Sequence, residues 1–139
     1  MFFNPHPPLT SFPVVLTVLA ISSEYLSIYY DRKSFRTFSK TCLYLSLLFA
    51  ILTYLSGYIG SELANQTFVI ADELIARHQA LAKIYLLAII VTCILALVES
   101  EAKITKLRFV YRLMLFICFV LLALTAHQGG ELVFKHGAG

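Results

Sequence analysis

Apolar residues gather in four blocks, Val14 to Tyr30, Thr41 to Ile59, Ala80 to Val98 and Phe109 to Ala126, with the charged residues confined almost entirely to the stretches between them. Each block is close to the ~20 residues that carry a helix across ~30 Å of hydrocarbon at 1.5 Å per residue. Backbone groups in lipid must bond within their own segment, so the blocks predict helices rather than strands. Short connections between them predict an antiparallel neighbour for each. The expected fold is therefore all-α: an integral membrane, antiparallel four-helix bundle in which residues 1–139 form a single domain.

Charge orients the bundle. Of the 11 Lys and Arg residues, Arg32, Lys33, Arg36, Lys40, Lys103, Lys106, Arg108 and Arg112 fall in the first and third connections, while Arg77, Lys83 and Lys135 fall on the opposite side. Cytoplasmic loops carry the excess of positive charge, so both termini are expected on the extracytoplasmic side of the membrane. The segment before Val14 has no Lys or Arg and no small-residue cleavage site follows the first block, so this block reads as a retained span rather than a signal peptide. Trp is absent, which leaves Tyr29, Tyr30, Tyr58 and Tyr111 as the expected interfacial anchors.

Composition agrees with the pattern. The chain is 59% hydrophobic and 14% charged, with a mean hydropathy of +0.80, above the apolar share of an ordinary soluble domain. The net charge of +3 is accounted for by the two basic connections, so nucleic acid is not an expected partner. Membrane lipid is.

Residues 1 to 13 carry all four prolines, at 5, 7, 8 and 13. This predicts an extended lead that turns helical at Pro13. The second connection has apolar residues at Val69, Ile70, Leu74 and Ile75, with Glu73 and Arg77 spaced i, i+4, which predicts a helical run continuing into the third span. After the fourth span, His127 is expected to end the helix at the Gly129–Gly130 pair.

The candidate chemistry lies on the extracytoplasmic side, where all four histidines, His6, His78, His127 and His136, are expected. Imidazole is the commonest metal ligand and binds haem iron, and bundles build cofactor sites from facing helices. His78, opening the third span, and His127, closing the fourth, are expected to face one another as axial ligands. His6 and His136 would hold a second haem or close over the first. Interfacial histidines with no ligand role are the bland alternative.

HPPLTSFPVVL (residues 6 to 16), HQALA (78 to 82) and HQGGELVFKHGAG (127 to 139) resemble a widespread bacterial four-helix membrane family of unknown function, whose members open with an HPxxVHFP-like motif and close with GHxGGxLVYxHGxGV. The resemblance covers essentially the whole chain. His6, Pro7, Phe12 and Pro13 match the opening, His78 the loop histidine, and His127, Gly129, Gly130, Leu132, Val133, His136 and Gly137 the ending. Ser11 replaces the opening's second histidine, which speaks against a five-histidine site, and Ala126 and Phe134 replace a Gly and a Tyr. The resemblance implies a haem-binding, electron-transfer role.

Cys42, Cys93 and Cys118 are isolated in or near spans and no C-x-x-C-H occurs, so a haem would be b-type, one or two per chain. The cysteines read as packing residues. Arg77, Lys83 and Lys135 are the cations available to haem propionates, against the simpler reading that Lys83 snorkels and Arg77 pairs with Glu73. Gly57 and Gly60 give the second span a small face suited to helix packing. Glu24, inside the first span, is expected to bond to Ser23, Ser27 or a facing Tyr, with a proton-carrying role as the alternative.

No nucleophile–base pair, phosphate loop or paired carboxylates within one span support an independent enzyme. The expected function is a membrane b-type cytochrome-like subunit of a larger respiratory or photosynthetic complex, exchanging electrons with a periplasmic c-type cytochrome or a quinone-linked partner. A non-haem metal-handling protein using the same histidines, and a purely structural anchoring subunit, are the alternatives.

Overall fold

A computed structural model describes residues 6–30, 32–67, 72–102 and 105–136. They form four helices, α1 (His6–Tyr29), α2 (Lys33–Thr67), α3 (Asp72–Ala102) and α4 (Thr105–His136). All four contain stretches long and apolar enough to cross a membrane. Neighbours in the ring α1–α2–α3–α4–α1 run antiparallel, so α1 and α3 begin, and α2 and α4 end, at the same end of the bundle.

The packing has the polarity expected of lipid-facing helices. Leucine, valine, isoleucine and phenylalanine crowd the outside, as at Leu55, Leu87 and Phe109, while small and hydroxylated residues such as Ala20, Thr17, Ser39, Ser46 and Thr92 are fully buried. Hydrocarbon accepts apolar surface as readily as the interior does, so close backbone approach and interhelical hydrogen bonds hold the helices instead. Ser39 Oγ donates to the Ala20 carbonyl at 2.7 Å. Thr17, Ser46 and Tyr85 share hydroxyl contacts of 2.8 to 3.3 Å at mid-bundle. The three cysteines are buried and unpaired, in agreement with their reading as packing residues.

The helices are longer than the apolar blocks, and two expectations are corrected. The N-terminal segment is not extended up to Pro13, because α1 begins at His6. Pro7 and Pro8 occupy the first turn, where an N–H has no intrahelical acceptor to lose. Pro13 then sits inside the helix and releases the Leu9 carbonyl from its usual bond. Thr53 Oγ1 of α2 donates to that carbonyl at 3.2 Å, and Ser46 Oγ donates to Pro13's own carbonyl at 3.2 Å, so the neighbouring helix restores what proline removes.

The second correction is at the other terminus. His127 does not end α4, and Gly129 and Gly130 do not stop it; the helix continues to His136. The expected run through the second connection is helical from Asp72 onward and continuous with the third span, while Val69 and Ile70 lie outside the described residues. Of the tyrosines, Tyr29, Tyr30 and Tyr58 are exposed near helix ends as interfacial anchors are, but Tyr111 is fully buried. Its ring faces inward beneath the Lys40 ammonium, 5.7 Å from the ring centre, where a cation meets the negative face of the aromatic.

Candidate functional site

His6 opens α1 and His78 lies two turns into α3, and these helices stand diagonally across the bundle. The two rings nevertheless meet over its axis, with centroids 6.3 Å apart and planes at 80°. His6 Nδ1 donates to the Thr53 carbonyl at 3.0 Å and lies 3.1 Å from Ser56 Oγ. A carbonyl accepts only, so the proton is on Nδ1 and Nε2 carries the lone pair. Burial lowers the His6 imidazole below its ordinary value, an effect that the Thr53 bond partly offsets. His78 faces the carbonyl of Thr125, but at a geometry that leaves its buried Nδ1 without a hydrogen-bond partner.

Each imidazole is seated against a glycine of the following helix. A Cβ on Gly57 would stand 2.7 Å from His6 Cε1, and one on Gly129 would stand 3.0 Å from His78 Cε1. Helix packing, or a cofactor face close by, accounted for Gly57 from sequence; the structure gives it the His6 ring to accommodate. Gly129, expected to break α4, has the same task.

These matches follow one rule. His6 and His78, Thr53 and Thr125, Gly57 and Gly129, Arg36 and Arg108, and Lys40 and Arg112 are each 72 positions apart. The α1–α2 and α3–α4 hairpins thus carry matching residues at matching places, as parallel repeats do. The histidine pair takes one ring from each hairpin. The rule is broken at the opposite end, where Glu24 corresponds to Ala96 and Glu99 to Ser27, one turn away.

Beside the histidines lies a cavity of about 560 Å³, lined largely by apolar and small side chains, including Val14, Ala50, Ala82, Leu122, Ala126 and both glycines of α4. It has the volume of a cofactor-sized site.

The other expected site residues are placed differently. The pairing of His78 with His127 is not the one the fold makes: His127 is exposed and lines no part of the cavity. Gly129 turns toward His78, and two residues along a helix is a rotation of about 200°, which points His127 outward. His136 is the last residue of α4, and its side chain is outside the described residues. Arg77 and Lys135 line a smaller cavity of about 220 Å³ with Gln128 and Glu131, where Lys135 Nζ donates to Glu131 at 2.5 Å. Lys83 is exposed on the lipid-facing side of α3.

The opposite end of the bundle is a charged cluster that sequence reasoning missed. Glu24, which is fully buried, bonds through Oε1 to Arg112 Nε at 2.8 Å, rather than to Ser23, Ser27 or a tyrosine. Ser27 Oγ donates instead to the Glu24 main-chain carbonyl at 2.6 Å. Glu99, at 3% exposure, receives Lys40 and Arg108, each at 2.7 Å. Residues that counted only as cytoplasmic charge therefore tie all four helices together. Carboxylates at the same depth as inward-facing cations were the available signal.

Among the described residues, no group of three or more His, Cys, Asp or Glu side chains converges as a metal cage would require. A family model described as a predicted membrane protein, DUF2231, matches residues 3–139. No curated protein and no solved structure matches the chain.

Proposed function

The chain belongs to this DUF2231 family of membrane proteins, and on that premise we propose that it is a b-type cytochrome-like electron-transfer subunit whose haem is held by His6 and His78. The observation that carries the reading is the facing of two imidazoles at the edge of a cofactor-sized cavity, the two that line it among the described residues. A zinc ion takes four protein ligands, or three with a water, whereas porphyrin supplies four nitrogens and asks the protein for two. His6 and His78, with ring centroids 6.3 Å apart, are the residues that would hold the haem, which would supply one-electron chemistry there.

The fit extends to the surroundings. Metal-bound histidine typically gives its other N–H to a carbonyl, which fixes tautomer and orientation. His6 does so to Thr53. The buried Nδ1 of His78, without a partner in the protein, is the kind of atom a bound group completes. Apolar walls exclude water and lower the local dielectric, which tunes a redox centre.

The proposed position of the remaining parts follows. Arg77 and Lys135, at the same end of the bundle, are the cations for propionates, and exposed Lys83 snorkels. One haem, not two, suits a single site shared by the two hairpins. Arg32, Lys33, Arg36, Lys103 and Lys106 still outweigh the histidine end after Lys40, Arg108 and Arg112 are engaged in the bundle, which supports an extracytoplasmic haem in a bacterial inner membrane. Its electron partners would be a periplasmic c-type cytochrome and other membrane subunits. The non-haem metal reading is less well served, since His127 does not join the pair.

A reduced-minus-oxidised absorption spectrum with pyridine treatment tests the proposal. A b-type band at one haem per chain supports it; its absence from protein purified out of native membranes removes it.

A further inference from the structure

The cavity beside the histidines is walled by α2 and α3 and open between α1 and α4. Its lining residues on α2 and α3 are buried or half-buried, whereas every exposed one, Ser11, Val15, Ala126 and Phe134, belongs to α1 or α4. All four lie within helix stretches long and apolar enough to cross a membrane, which suits an opening toward lipid.

The 72-residue offset lets this seam be compared with its counterpart on the other side of the bundle. The corresponding seam, between α3 and α2, has Lys83 and Leu87 where α1 has Ser11 and Val15, and Tyr54 and Tyr58 where α4 has Ala126 and Gly130. At these four positions the α1–α4 seam carries the smaller residue, whereas Phe134, farther along α4, stands where α2 has Glu62. Interior positions do not follow, as Leu122 stands opposite Ala50, so the difference is confined to the rim.

Gly130 sharpens the point. A Cβ there would meet nothing within 4 Å, unlike one on Gly129. Glycine is the least favourable residue in a helix interior after proline, so packing gives no reason for it. A slot kept clear does.

We propose that the α1–α4 seam is a lateral doorway through which haem passes between the bilayer and the histidine site, with Ala126 and Gly130 facing Ser11 and Val15 as its rim. The inference rests on the haem reading above. Haem is flat, with two apolar faces and the propionates on one edge, and it partitions into lipid bilayers. It enters through the seam and reaches His6 and His78 without crossing the packed α2 and α3 walls.

The test uses the full chain in lipid vesicles with Ala126→Cys, whose thiol is exposed while Cys42, Cys93 and Cys118 are buried. Capping it with a bulky maleimide before haem is added slows uptake about tenfold or more; capping it after loading leaves the haem in place and slows its release to a soluble apo-globin acceptor similarly. Gly130→Phe, which meets open space, slows uptake in the same way while the haem-free protein keeps its helix content and melting temperature. Equal uptake rates for capped, uncapped and Gly130→Phe proteins overturn the doorway and leave the haem reading intact. Failure of the unmodified protein to take up haem at all overturns both.

Discussion

The Glu24 carboxylate of α1 meets the Arg112 guanidinium of α4 at 2.8 Å, with no part of Glu24 exposed and its second oxygen lacking a partner in the protein. A buried pair is worth little against a well-packed apolar replacement, yet removing one member strands the other charge. Arg112→Ala is therefore expected to lower unfolding free energy in detergent micelles by about 3–5 kcal/mol, and Glu24→Leu combined with Arg112→Leu to recover most of it. A loss under ~1 kcal/mol for Arg112→Ala would mean the pair has no structural role.

The two histidines differ from His127 in what their loss does. His6→Ala and His78→Ala each remove one of the facing imidazoles and are expected to convert a low-spin spectrum to a high-spin or empty one. His127→Ala, at an exposed position, leaves the spectrum unchanged. A spectrum sensitive to His127 and indifferent to His6 restores the antiparallel-neighbour pairing and rejects this one.

Gly57 and Gly129 make opposite demands on helix and site. Alanine favours the helix by about 1 kcal/mol, but its Cβ would stand 2.7 Å from His6 Cε1 at position 57 and 3.0 Å from His78 Cε1 at position 129. Overpacking of this kind costs roughly 1–3 kcal/mol. Haem dissociation constants measured by titration should rise for both variants, and more for Gly57→Ala, while far-ultraviolet helix content is preserved. Equal affinity for Gly57→Ala and wild type contradicts the seating of His6.

Thr53 has two separable tasks, since its hydroxyl serves the Leu9 carbonyl and its own carbonyl serves His6. Thr53→Val deletes only the first. Interhelical hydrogen bonds in membranes average ~0.6 kcal/mol and reach about 1.7, so unfolding should become easier by an amount in that range with the haem spectrum unaltered. Pro13→Ala restores the helical donor to Leu9 and should make the Thr53→Val change nearly silent in a double-mutant cycle.

Hydropathy made the four helices legible because crossing hydrocarbon leaves one solution for the backbone. Helix ends were not legible, for local signals had tertiary uses: Pro7 and Pro8 filled a first turn instead of extending the chain, and Gly129 admitted an imidazole instead of ending α4. The histidines were visible as a group, but their pairing was not, because adjacency in the ring favours α3 with α4 while His6 and His78 reach across the diagonal. A comparison of the chain with itself at an offset of 72 would have singled out His6 and His78 together with their carbonyls and glycines. Glu99 escaped notice at a span end, where a carboxylate reads as solvated, though Lys40 and Arg108 enclose it.

Each half of the chain brings one ring and the notch that seats it, so the facing pair needs both halves, and each ion pair of Glu24 and of Glu99 with Lys40 crosses from one half to the other. A single hairpin of this plan could build the whole arrangement by meeting its own twin, since a twofold axis doubles every contribution. Fusing the twins into one chain frees them to diverge, and that freedom is what lets one seam stay bulky while the other becomes an entrance.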